Sequence, residues 1–188
     1  MGKYLGNASG IMLSMPRQRA PRESLDSAQV AAFVAAPKSV VATTVEWKAP
    51  GGAVDALRWR SVLETGSIAV GELSLYSNAS IARNWNFHLA LRGHSVFGWH
   101  FSPGSRHKNW KSCDADFLLN GRVKSPHEQV WIDGPGFKCA HALTGLDELT
   151  HEEILGRFCN RASIEFTATY HPPQSGEEQL TLFGEAAL

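Results

Sequence analysis

The stretch Trp85-Asn86-Phe87-His88-Leu89-Ala90-Leu91-Arg92-Gly93-His94-Ser95-Val96-Phe97-Gly98-Trp99-His100-Phe101 decides the architecture. Trp85, Phe87, Leu89 and Leu91 alternate with Asn86, His88 and Arg92, the period of two that belongs to a strand with one buried face. A turn at Gly93 then leads into a second strand through Phe97, Trp99 and Phe101, so the stretch is predicted to be a β-hairpin.

The same period extends outward from this hairpin. Leu57, Trp59, Ser61 and Leu63 alternate with Arg58, Arg60 and Glu64, and before them Val41, Thr43, Val45 and Trp47 alternate with Ala42, Thr44 and Glu46. Downstream, strands are predicted over residues 129–132 and 137–142, separated by the turn Asp133-Gly134-Pro135-Gly136, and over Ile164, Phe166, Ala168 and Tyr170. Two helices interrupt the pattern. Asp26 and Gln29 can form a capping box before Val30, Phe33 and Val34, with Pro37 ending that helix. Thr150 and Glu153 can form another before the stripe Ile154, Leu155, Phe158 and Cys159, giving a C-terminal helix over about residues 150–160. Strands outnumber helices, and few connections are long enough for repeated crossovers. The expectation is one α+β domain, a twisted antiparallel sheet carrying a short N-terminal helix and one C-terminal helix. It spans residues 24–171, with an irregular arm at 1–23 and a flexible tail at 172–188.

Composition narrows the function. A chain of 188 residues, 43% hydrophobic, can bury a core without staples. Its 18 basic and 18 acidic residues cancel, so any affinity for nucleic acid must come from a local patch. The three cysteines Cys113, Cys139 and Cys159 are odd in number and lack C-x-x-C spacing, which suggests neither a disulfide framework nor a zinc ribbon and fits a reducing cytoplasm. The run from Gly10 to Met15 is too short and polar for a secretory or membrane-spanning segment, and Gly6 stands where a myristoylation motif needs Ser or Thr. No membrane partner and no cofactor are expected.

The most informative segment lies near the end. After His171-Pro172-Pro173-Gln174-Ser175-Gly176-Glu177-Glu178, which has linker composition, come Gln179, Leu180, Thr181, Leu182 and Phe183. Three large apolar side chains beyond a polar linker have no obvious place in a core, although a last strand with Leu180 and Leu182 facing inward is the structural alternative. Gln-Leu-x-Leu-Phe resembles the peptide by which bacterial polymerases and mismatch-repair factors dock into the cleft of the DNA sliding clamp, the replicative β subunit. The resemblance covers these five residues. It implies polar contacts for Gln179 and an apolar pocket filled by Leu182 and Phe183, with Leu180 beside them. A small domain bearing such a peptide is similar to the SocB-type toxins of toxin–antitoxin systems, which stop replication by occupying the clamp. That resemblance implies further partners, an antitoxin or a proteolytic adaptor with its protease.

Other constellations give alternatives. Basic and aromatic residues interleave at Trp99, Arg106, Lys108, Trp110 and Lys111, as they do on surfaces that bind single-stranded nucleic acid. His107 and His127 could serve as base and acid of a metal-independent ribonuclease, with Arg106 or Lys124 on the phosphate and His141 nearby. His107-x-Asn109, Pro126-His127 and Trp131 loosely resemble small uncharacterised proteins of prophage and toxin–antitoxin loci, a resemblance that names no catalytic residue. A replication or repair accessory factor holding clamp and DNA together is the third possibility. Cys139 and His141 would share a strand face, with Cys113 or His100 as further metal ligands, but the spacing is no zinc signature and no metal site is expected. His88 is expected to point outward from its strand, and His151 to sit in the first turn of the second helix.

Overall fold

The computed structural model describes residues 24–51, 55–109, 113, 121–132 and 138–173. Ten strands and two helices follow in the order α1 (Ser27–Ala35), β1 (Lys38–Val40), β2 (Ala56–Thr65), β3 (Ile68–Asn78), β4 (Trp85–Leu91), β5 (His94–Phe101), β6 (Arg106–Lys108), β7 (Arg122–Lys124), β8 (His127–Trp131), β9 (Lys138–Ala142), α2 (His151–Arg161) and β10 (Ile164–Glu165). Eight of the strands form one sheet in the order β10-β1-β2-β3-β4-β5-β8-β9, and β6 pairs with β7 in a separate hairpin. Every pairing in the large sheet is antiparallel except β1 with β10. The molecule is thus an α+β domain. Among the described residues no helix is long and apolar enough to cross a membrane.

Both helices pack on one face of the sheet, and the alternation explains why. Leu73 stands opposite Leu89, Leu75 opposite Phe87, and Phe87 opposite Trp99, which gives an apolar surface across β3, β4 and β5. Phe158 of α2 lies on this surface, 5.6 Å from Phe87, 5.5 Å from Phe97 and 5.7 Å from Trp99 between ring centroids. Ile154, Leu155 and Cys159 are buried beside it. The capping boxes expected at Asp26 and Thr150 are both formed. They satisfy backbone N–H groups that would otherwise be orphaned at each helix start.

The longest strand of the sheet, β3, is absent from the sequence-based expectation. Its core face carries Gly71, Leu73, Leu75 and Ser77, so small residues at both ends mask the apolar alternation. Gly71 is required there. A Cβ at that position would stand 2.6 Å from the Phe33 ring and 2.6 Å from the Ala90 carbonyl oxygen, so α1 docks where the strand lacks a side chain. Two expected strands are shorter than the pattern suggested: residues 41–47 and 166–170 are largely irregular, joined by an isolated bridge between Thr44 and Thr169. Side chains take over some of the backbone pairing here, as Trp59 Nε1 donates to the Thr44 carbonyl and the Ala42 N–H donates to Ser61 Oγ.

At the other edge, Asn109 serves as a substitute strand for β9. Its Nδ2 donates to the Ala140 carbonyl and its Oδ1 accepts from the Ala140 N–H, both at 2.8 Å. Cys113, a little further on, is bonded to Cys139 of the same strand. This corrects the expectation that the cysteines stay unpaired: pairing depends on the loop folding back along the edge, which cysteine spacing does not reveal. Asn109→Ala should strip both bonds from a buried amide pair and lower stability by about 2 kcal/mol. A shift of the urea midpoint at constant m-value would measure it, and an unchanged midpoint would mean that the disulfide alone holds this edge.

Candidate functional site

The sheet face turned away from the helices is polar, and its register builds a row of histidines. Cross-strand pairing sets Asn86 opposite His100, and His100 opposite His127, on β4, β5 and β8. The His100 and His127 rings stack with centroids 5.2 Å apart and planes 4° from parallel, while His88 meets His100 edge-on at 4.6 Å. Gly98, opposite His88, makes room for this contact, since a Cβ there would sit 3.0 Å from His88 Nδ1. His88 therefore does leave the helix-facing side, as expected, but enters a packed row.

The β6–β7 hairpin covers the end of the row. His107 reaches in from β6 to within 5.6 Å of the His127 ring, and the Gln129 amide joins the two, its Nε2 lying 2.9 Å from His107 Nδ1 and 3.3 Å from His127 Nε2. Because an amide nitrogen only donates, both of those ring nitrogens must accept. His107 then carries its hydrogen on Nε2, which donates to the Lys138 carbonyl at 3.2 Å. His127 must carry its hydrogen on Nδ1, a buried atom without a hydrogen-bond partner, as are His100 Nε2 and Asn86 Oδ1.

His88, His100 and His127 are held neutral. Burial, with Lys138 and Arg58 adding repulsion, brings His88 from 6.5 down to about 4. Burial and the surrounding imidazoles His88 and His127, with Lys138 and His107, bring His100 to about 2. For His127 burial again dominates, aided by His107 and His141, and the value falls to about 4; the Lys124 backbone lies near enough to oppose this, short of hydrogen-bond geometry.

This arrangement bears directly on the ribonuclease alternative. The fold brings Arg106, His107, Lys124 and His127 into one neighbourhood, with Arg106 directly opposite Lys124. Yet His127 is only 3% exposed and both nitrogens of His107 are engaged by the protein. A general acid must offer a proton to substrate, and a neutral buried imidazole at pH 7 is poorly placed to do so. The geometry favours a structural row.

The single-strand surface fares differently at each residue. Trp99 is not part of it: the indole is buried against Phe158, and its Nε1 donates to Glu128 Oε2 at 2.7 Å. The hairpin period had already placed Trp99 with Phe97 and Phe101 on the core side. Arg106 and Lys108 are exposed on β6, whereas Trp110 and Lys111 lie outside the described residues, as do Gln179, Leu180, Leu182 and Phe183.

The metal-ligand alternative is corrected. Cys139 and Cys113 are bonded to each other, which leaves neither of these two sulfurs as a thiolate to bind an ion. His141 lies 3.2 Å from the Glu128 carboxylate, and His100 is on the opposite sheet face from Cys139, by the parity of their β8 partners His127 and Val130. Among the described residues no group of three or more His, Cys, Asp or Glu is placed to hold a metal.

Two features escaped the sequence reading. One is Glu128, 1% exposed, which also accepts from Arg161 Nη2 at 3.2 Å. Burial pushes its carboxyl up, but hydrogen bonds from His141 and Trp99 and the charge of Arg161 outweigh this and hold it below the usual value. The other is Arg122, which with Lys108, Arg106 and Lys124 completes two exposed like-charge pairs on the β6–β7 hairpin. Compared with family models, curated proteins and solved structures, the chain matches none.

Proposed function

We propose that this protein binds the bacterial DNA sliding clamp through Gln179, Leu180, Leu182 and Phe183 and restrains replication by occupying the clamp's peptide cleft. The observation that carries this reading is the sequence Gln-Leu-x-Leu-Phe placed after Pro172-Pro173 and a polar spacer. Four matching positions in a chain of this length arise by chance on the order of a few times in a thousand. Among the described residues the core runs from Leu25 to Ala168 and closes both helices onto the sheet. The working place would be the cytoplasm, where the clamp operates. The Cys113–Cys139 bond is compatible with it, since both residues are at most 3% exposed and shielded from soluble thiols. In a toxin–antitoxin role the folded domain would present the surface that an antitoxin or a proteolytic adaptor reads.

Three apolar anchors at about 1.5–3 kcal/mol each, offset by backbone ordering and lost translational freedom, give micromolar affinity. A peptide of residues 174–188 should therefore bind a purified clamp at that strength. In the full chain, Phe183→Ala empties the apolar pocket at a cost of about 2 kcal/mol, which weakens binding more than tenfold. The melting temperature of the domain should not change. If Phe183→Ala lowers it by several degrees, or leaves clamp affinity intact, residues 179–183 belong to the core and the proposal fails.

The exposed cations of the β6–β7 hairpin favour a second reading, an accessory factor for replication or repair that holds the clamp and nucleic acid at once. The ribonuclease alternative draws less support, for the reason given by His127 and His107.

A further inference from the structure

We infer that the β6–β7 hairpin is a nucleic-acid docking ribbon that grips the phosphate backbone through Arg106, Lys108, Arg122 and Lys124. All four side chains are exposed, and the register sets Arg106 directly opposite Lys124 and Lys108 directly opposite Arg122. Like charges facing each other across a strand pair destabilise it. This hairpin has three residues per strand and sits outside the main sheet, so it has little pairing of its own to offset that repulsion. None of the ion pairs among the described residues involves these four cations. A polyanion laid along the ribbon would supply the missing counter-charge.

The hairpin is also built to be presented. Its inner residue His107 is fixed by the Gln129 amide and the Lys138 carbonyl, and Asn109 ties the following residue pair to β9. The outer residues are thereby held at defined positions. Arg106 and Lys108 stand two residues apart on one strand, about 7 Å, so the two cations can meet separate phosphates along one strand of nucleic acid. The adjoining outer face of the sheet continues the positive character with Arg58, Arg60 and Lys138 around the histidine row, where Glu72 is bound to Arg60 at 3.5 Å. Exposed acids gather instead at the start of α2, at Asp147, Glu148, Glu152 and Glu153. Among the described residues charge is in this way unevenly placed, with a local basic patch of the kind that composition left open.

Chemistry favours nucleic acid over an acidic protein. Protein interfaces rely on a buried apolar or aromatic centre, and among the described residues the large exposed apolar side chains, Val41, Val62, Ile68 and Ile81, all lie outside β6 and β7. Phosphate binding needs only cations in a row. The inference is independent of the clamp peptide, and the two can fail separately.

The test uses the full chain with fluorescently labelled 20-nucleotide DNA and RNA single strands and a 20-base-pair DNA duplex, titrated between 50 and 200 mM salt. Four phosphate contacts predict a loss of affinity of roughly 50- to 150-fold over that range. The quadruple variant Arg106→Gln, Lys108→Gln, Arg122→Gln, Lys124→Gln should abolish that salt dependence and most of the binding, with its thermal melt unchanged or raised as repulsion is removed. If the quadruple variant fails to fold, the paired reversal Arg106→Glu and Lys124→Glu, which keeps the hairpin polar, should give the same loss. Phe183→Ala should bind nucleic acid like the parent chain. Absence of binding at 50 mM salt, or binding unaffected by the substitutions, would each overturn the inference. The relative affinity of the three probes then assigns the natural strand type.

Discussion

Between pH 6.5 and 4 the domain should lose most of its stability, because four imidazoles that are neutral in the fold must take up protons when it opens. His88 and His127 are lowered from 6.5 to about 4 and His100 to about 2, with burial the leading cause in each. His151, lowered to about 4, is the fourth, again by burial. Its ring lies 4.9 Å from Trp85, 5.0 Å from Phe87, 5.8 Å from Trp47 and 5.7 Å from Tyr170. Its Nδ1 is hydrogen-bonded to the Tyr170 hydroxyl, and protonation would place a charge in an aromatic box. The sign follows from which state holds more protons. Below 6.5 the unfolded chain has charged its histidines while the folded chain has not, so stability is complete above that pH and declines as pH falls toward the folded values. Four groups acting together approach about 5 kcal/mol per pH unit, so the loss across this window, on the order of 10 kcal/mol, is comparable to a typical total stability of about 5–15 kcal/mol. Urea midpoints taken from pH 7.5 to 4.5 would show it. His88→Gln, His127→Gln and His151→Gln should each remove about one proton from the slope. A midpoint that stays level down to pH 5 would show that the row accepts protons without unfolding and would defeat the prediction.

Parts of this molecule are legible in the sequence because their causes are local. The alternation through Trp85 to Phe101, the Gly93 turn and the capping boxes at Asp26 and Thr150 each depend on residues a few positions apart, and each is found in place. What was missed depends on distant partners. Gly71 weakens the pattern of β3 because the Phe33 ring from α1 occupies the space, a fact about packing across 38 positions. The histidine row exists only in the cross-strand register, which brings together His88, His100, His107 and His127 from four strands. The basic hairpin is an intermediate case. Arg106-His107-Lys108 and Arg122-Val123-Lys124 each alternate, but three residues are too few to distinguish a strand from a loop. Cys113 and Cys139 lie 26 residues apart, and their pairing follows from the edge contact made by Asn109.

Glu128→Ala should be among the most damaging single changes, costing about 3 kcal/mol, whereas Arg161→Ala should cost below about 1 kcal/mol although both belong to one ion pair. Exposure makes the difference. The Glu128 side chain is 2% exposed and the Arg161 side chain 55%. When Arg161 is removed, the carboxylate retains Trp99 and His141, and a half-exposed guanidinium returns to water with little change in energy. Removal of Glu128 instead leaves the Trp99 N–H buried without an acceptor and opens a cavity beside the indole, two penalties that each fall in the range of about 1–3 kcal/mol. Glu128→Gln keeps an oxygen for Trp99 and should fall between the two. Glu128 also connects the helix side of the sheet to the far side. On β8 it alternates with His127 and Gln129, so the carboxylate that fixes the strand from below orients the amide that holds His107 above. Loosening it should therefore make the β6–β7 hairpin more accessible to amide hydrogen exchange than global destabilisation alone predicts. Urea titration measures the first effect and exchange at residues 106–108 and 122–124 the second. Equal costs for Glu128→Ala and Arg161→Ala would show that the exposed ion pair, and not the buried acceptor for Trp99, is what the carboxylate contributes.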